Sequence, residues 1–226
     1  MRVSFDPARD AFAFRNSFVN KISFAGIPVA ETRGRCGGMA FAALDHWHAG
    51  IPVPETATLP PDGDPLADYI YDRLHTSMLD NWAKFVRFMH TPDHWTLLGG
   101  IGVSRMVREQ EFPKLRALLE QGEPQPLGLT QSRSVGGLSH DHQVVAYGYE
   151  QNATKTRILI WDNRYGRRED FLEFTTKYVR FDRAVNQSDG SQWRGFFVER
   201  YARRVPPYVA GGSGEPAVSR LPDLHF

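Results

Sequence analysis

Apolar side chains recur every three or four residues through the first half of the chain and crowd into short, nearly unbroken runs through the second. From 36 to 49, Met39, Ala40, Ala43, Leu44 and Trp47 keep helical spacing, which predicts a helix with Cys36 in its first turn and Gly50 and Pro52 closing it. A proline-rich stretch, IPVPETATLPPDGDP, leads into a second periodic region over 65–90. There Leu66, Ile70, Leu74, Met78, Trp82, Phe85 and Met89 form one stripe and predict a buried helix. Residues 102–121 continue the pattern through Val103, Met106, Val107, Leu115, Leu118 and Leu119, and Pro113 suits the first turn of a new helix.

Beyond Gly122 the runs PLGLTQ, HQVVAYGYE and TRILIWD are short, branched and aromatic, and turn residues separate them, so they predict strands; FLEF and WRGFFVERY predict two more. Helices first and strands second point to an α+β protein, with a helical lobe over about 20–121 packed on a mainly antiparallel β lobe over about 122–205. Both lobes fit one domain, 1–205, and 206–226 reads as an extended or disordered tail.

Charge and composition then narrow the function. With 27 basic and 26 acidic residues the formal charge is +1, which gives no electrostatic reason to expect nucleic acid or an anionic membrane. No basic head followed by an apolar run opens the chain, and no segment approaches the roughly 20 apolar residues that span a bilayer, so the expectation is a soluble, cytoplasmic protein. The arginine-rich runs RYGRRED and ERYARRV alternate with acidic residues and predict a solvated, salt-bridged strand edge. Cys36 is the one cysteine, so no intrachain disulfide can form.

A lone cysteine is commonly a small buried hydrophobe. Placed at a helix amino terminus, however, a thiol meets unsatisfied backbone N–H groups and the positive end of the helix dipole, which favour thiolate, and Arg33 and Arg35 would act in the same sense if they turn inward. Gly37 and Gly38 are poor helix formers, and either a substrate backbone approaches the helix start there or the first turn is frayed. A nucleophilic cysteine needs a base, and His142 stands at the head of a predicted strand. The following strand, RILIWDNRYG, would return Asp162 or Asn163 to the same sheet end, where either can hold the imidazole in one tautomer.

The series CGGMAFAALDHW, DHQVVAYGYE and ILIWDNRYG resembles the papain-like cysteine peptidase superfamily, nearest to bacterial branches similar to the peptidases that trim double-glycine leaders. The resemblance implies a papain-like fold, Cys36 as nucleophile, His142 as base, Asp162 as orienting residue with Asn163 as the alternative, a peptide or protein substrate, and no cofactor. It departs from the family at the position six before the cysteine, where many members carry a glutamine that donates to the oxyanion and this chain has Ala30. Asn16 or Asn20 would then supply the amide, beside the backbone N–H of Cys36. The implied activity is hydrolysis of an amide or peptide bond through an acyl-enzyme thioester. The alternatives are a transglutaminase-like acyl transferase and, given the missing glutamine, a non-catalytic binding module.

Of the eight histidines, His140 and His142 share one side of an extended segment and would bind zinc with Cys36, but neither a CxxC pair nor an HExxH motif is present, and no metal is expected. His46 and His48 sit about 200 degrees apart on a helix and read as rim residues, and His75, His90 and His94 as the polar face of the second helical region. SVGGLSH, over 134–140, reads as a lid beside the base or an ordinary surface loop.

Overall fold

A computed structural model describes residues 1–24, 27–94, 101–175 and 183–207, with the side chains of 20–33, 135, 136 and 138 excepted. Its elements are helices and antiparallel strands, in keeping with an α+β fold. Most of the proposed tail lies outside the described residues.

Five α-helices are present among these residues: α1 (Pro7–Asp10), α2 (Cys36–Ala49), α3 (Pro65–His90), α4 (Val103–Met106) and α5 (Phe112–Glu120). A wide turn over 107–111 joins the last two. The caps explain the bounds of the long pair. Asp64 accepts the Leu66 N–H with Pro65 at the first position of α3, and Gly50, at φ 65°, ends α2 by returning its N–H to the last turn. Before α2 comes a hairpin of β1 (Val19–Phe24) and β2 (Ile27–Arg33), so the region expected to be helical from about residue 20 begins with strands.

The remaining strands are β3 (Gln125–Thr130), β4 (His142–Gln151), β5 (Lys155–Trp161), β6 (Glu169–Thr175), β7 (Ala184–Asn186), β8 (Gln192–Trp193) and β9 (Gly195–Val198). They form one antiparallel sheet in the order β8-β7-β6-β5-β4-β3-β9. The central strands are apolar on both faces because both faces are covered. Val144, Ala146, Ile158 and Ile160 join a core with α4, α5 and the end of α3, while Val145, Tyr147, Leu159 and Trp161 join a second core with α2 and the aromatics Phe5, Phe12 and Phe14. The amino terminus crosses to the sheet, where the Val3 N–H donates to the Tyr147 carbonyl at 2.9 Å.

The predicted α3 stripe drifts off the buried face midway: Leu74 and Met78 are only partly buried, Trp82 is 43% exposed and its neighbour Leu79 71%. Steps of four residues from Leu66 advance 400 degrees each, so by Trp82 the stripe has drifted about 160 degrees around the axis. The buried face instead follows Leu66, Ile70, Arg73, Ser77, Asn81, Phe85 and Phe88. Among the described residues no helix is long and apolar enough to cross a membrane.

Candidate functional site

Cys36 is the first residue of α2, presented at the helix tip and partly exposed. The Arg35 N–H just before it donates to Asn16 Oδ1 at 2.6 Å, so a side chain from the amino-terminal segment caps the entry to the helix. Two glycines follow because the protein itself fills the space. A Cβ on Gly37 would lie 2.2 Å from both Gln143 Oε1 and Ser77 Oγ, and one on Gly38 would lie 1.9 Å from the Ile70 carbonyl oxygen. Both glycines are buried, so neither serves the approach of a substrate backbone, and the first turn is not frayed. They let the tip of α2 press against α3 and β4.

His142 opens β4, and Asp162 immediately follows β5. The pairing of Val145 with Trp161 brings both to one end of the sheet. Asp141 fixes the approach to His142 by accepting the backbone N–H groups of Gln131 and Ser132, each at 2.8 Å. His142 Nε2 lies 2.8 Å from Asp162 Oδ1, and both side chains are buried. The ring packs nearly parallel to Trp193, with centroids 6.1 Å apart.

Burial by itself would push the His142 imidazole down. The charge and hydrogen bond of Asp162, and then the hydrogen bond and charge of Cys36, outweigh it and push the ring up to about 9. With Nε2 directed at the carboxylate, Nδ1 is the ring nitrogen left to face Cys36. Burial would likewise raise the Asp162 carboxyl, but His142 and Arg164 hold it well below the usual carboxylate range. Arg164 lies on the turn after β5 and donates from Nη2 to Asp162 Oδ2 at 2.7 Å, and Asn186 Nδ2 donates to the same oxygen at 3.0 Å. Arg164, expected on a solvated edge, thus turns inward and also lies over Trp193, 5.7 Å from its ring centre.

Asn163 takes a different place from Asp162. Its Nδ2 donates to the Cys36 carbonyl at 3.1 Å and to the Gln143 carbonyl at 3.0 Å, and its Oδ1 accepts from Asn16 Nδ2 at 3.0 Å. Asn163 therefore ties the helix tip to the strand head, while Asp162 holds the ring. Asn16, proposed as an oxyanion donor, commits its carbonyl to the Arg35 N–H and an amide hydrogen to Asn163. The Asn20 and Arg33 side chains lie outside those described. The Arg35 guanidinium is buried against Asp62, at 2.6 Å, and the Ala67 carbonyl, at 2.9 Å, so its charge is engaged there.

The other histidines sort by burial. His46, expected on the rim, is buried, with Nδ1 3.2 Å from the Ile51 carbonyl and its ring edge-on to Phe12, because the chain folds back beneath the helix end. The His48 side chain is largely covered too, its ring stacked on Tyr201. His90 and His94 are exposed, whereas His75 is only partly so. His140 is exposed at the end of a short 3-10 turn over 135–140. Among the described residues no group of three His, Cys, Asp or Glu side chains is placed to hold a metal ion.

Sequence reasoning missed Gln143, Asn186, Trp193 and Glu199. Gln143 Oε1 lies 3.7 Å from Cys36 Sγ, and its Nε2 donates to Glu199 Oε1 at 2.7 Å. The period-two alternation of β4 held a usable signal for Gln143, because the residue after His142 must face the α2 side of the sheet. No local pattern marks Asn186 or Trp193, which arrive from β7 and β8. Compared with known proteins, the chain matches no family model, no curated protein and no solved structure.

Proposed function

We propose that this chain is a papain-like thiol hydrolase that cleaves an amide or peptide bond through Cys36, His142 and Asp162. The observation that carries this reading is the position of His142, hydrogen-bonded to Asp162 at 2.8 Å and near enough to Cys36, at the tip of a helix, for the sulfur to raise the ring. Proton transfer from sulfur to His142 Nδ1 gives a thiolate–imidazolium pair, in which the Asp162 carboxylate stabilises the charged ring. The thiolate attacks the acyl carbon, and the backbone N–H of Cys36 supports the developing oxyanion. The imidazolium passes its proton to the leaving amine as the C–N bond breaks, leaving a thioester. Neutral His142 then takes a proton from water, whose oxygen attacks the thioester, and the same proton returns to sulfur as the acid departs. Asp162 stays ionised throughout and holds Nε2–H, so that Nδ1 always faces the sulfur.

Alkylation with iodoacetamide tests the pair, because the chain has one thiol. Rapid reaction below about pH 8 is expected, and His142→Ala should abolish it. A thiol that reacts only after unfolding would refute the hydrolase and leave a binding module. Mass spectrometry of the protein mixed with activated esters should show an adduct on Cys36 that hydroxylamine removes. Product analysis with an added primary amine separates hydrolysis from acyl transfer.

A further inference from the structure

Behind the helix tip, on the side away from His142, a second pair of polar side chains reaches the sulfur. Glu199 directly follows β9, wholly buried, with Oε1 accepting from Gln143 Nε2 and Oε2 without a hydrogen-bond partner among the described residues. Gln143 spans from that carboxyl to Cys36, its Oε1 occupying the space where Gly37 lacks a Cβ. In this orientation the amide oxygen faces the sulfur, an arrangement that accepts from S–H and opposes a thiolate. Turning the amide by 180 degrees changes no packing, since its oxygen and nitrogen are nearly the same size. The N–H would then donate to the thiolate, but the oxygen would face Glu199, which is tolerable only if that carboxyl carries a proton.

We propose that Glu199 is a positioning residue: protonated, it turns the Gln143 amide so that N–H faces the Cys36 thiolate, and ionised, it turns the oxygen back. The inference rests on Cys36 being the nucleophile. Burial pushes the Glu199 carboxyl up to about 8, against the Gln143 hydrogen bond and the Lys84 charge. The charged groups around it leave the carboxyl poorly compensated. Lys84, from α3, donates to the Val198 carbonyl at 2.7 Å and sits 3.5 Å from both Glu111 oxygens, and Glu111 in turn accepts the Val198 N–H. Arg200 opposes the Lys84 charge from farther along the chain, and Cys36 and His142 stand beyond Gln143.

The test is the rate of Cys36 alkylation by iodoacetamide from about pH 6 to about pH 10. Wild type should show a fall or flattening of the rate near pH 8, where Glu199 loses its proton. Glu199→Gln, neutral at every pH and able to donate to the amide oxygen, should remove that break and react about tenfold faster than wild type at about pH 9, the value of one charge-assisted hydrogen bond. In a Gln143→Met background the same substitution should have no effect. A wild-type profile with rapid, His142-dependent alkylation and no break near pH 8 overturns the inference, even if a variant fails to fold. So does a Glu199→Gln effect that survives Gln143→Met. Alkylation no faster than that of an unactivated thiol, or indifferent to His142→Ala, instead removes the hydrolase reading and this inference with it.

Discussion

Replacing His142 by Gln should change stability by an amount that depends on pH in a way set by the Asp162 pair. The ring rises from an ordinary value of 6.5 to about 9 in the folded chain. A group whose folded value is raised contributes stability that is fully present below its unfolded value and lost as pH rises through the folded one. The window is therefore about 6.5 to 9, and two and a half pH units correspond to roughly 3 kcal/mol. Urea unfolding of the wild-type and His142→Gln chains measures it, with Cys36→Ser in both so that no thiol titrates. Most of the effect should remain, since Asp162 raises the ring more than Cys36 does. The gap in unfolding free energy between the two chains should shrink by roughly 3 kcal/mol from about pH 6 to about pH 10. A gap that stays constant over that range would show that the ring is not held as an imidazolium by Asp162, and the proton assignment behind the proposed mechanism would fail with it.

The remaining predictions address the supports of the site. Arg164→Gln should raise the acid-unfolding midpoint, because Asp162 contributes stability that is present above about pH 3.8 and lost as pH falls through its depressed folded value, and Arg164 deepens that depression; circular dichroism against pH reads it. Asn163→Ala strips bonds from the buried carbonyls of Cys36 and Gln143 and should destabilise by about 2–4 kcal/mol in urea, with alkylation of Cys36 slowed in the protein that still folds. Gly38→Ala, which in an open helix would gain about 1 kcal/mol, should here cost about 3 kcal/mol or prevent folding, because its Cβ would meet the Ile70 carbonyl at 1.9 Å. Trp82→Ser, on the exposed side of α3, should change the urea midpoint by no more than about 0.5 kcal/mol equivalent.

The elements that were legible in the sequence are those whose pattern is local. Cys36–Ala49 and Pro65–His90 show helical spacing between recognisable stops, and the runs of β4 and β5 are too branched and too short for helices. The hairpin of β1 and β2 carries no such mark, because its residues alternate neither cleanly nor around a strong turn dipeptide. For the site, the order of Cys36, His142 and Asp162 along the chain was visible, since antiparallel neighbours bring their ends together. The inward turn of Arg164 was not, because a run of arginines reads as solvated until a buried carboxylate is known to lie two residues away. The glycines after Cys36 misled for a related reason. Their missing side chains signal a close approach, but the sequence cannot say whether the approaching group is a substrate or Gln143 and Ile70.

Adjacent residues on a strand point to opposite faces, so His142 and Gln143 should not both be able to reach one side chain in the middle of a sheet. They do so here because Cys36 lies off the end of β4, at a helix tip that straddles the strand head. The backbone at that point is fixed twice by Asn163, through the Cys36 carbonyl and the Gln143 carbonyl, and neither bond involves the sulfur. Placement of the helix tip and orientation of the ring are thereby separated: the amide of Asn163 sets where the tip sits, and Asp162 sets which ring nitrogen faces it. Exchanging the two residues tests this division. Asp162→Asn with Asn163→Asp retains composition and charge, yet it places a buried carboxylate against two carbonyl oxygens and leaves Arg164 with Asp189 alone. The exchanged chain should therefore lose both stability and His142-dependent alkylation, whereas a chain in which either residue could hold the ring would keep them.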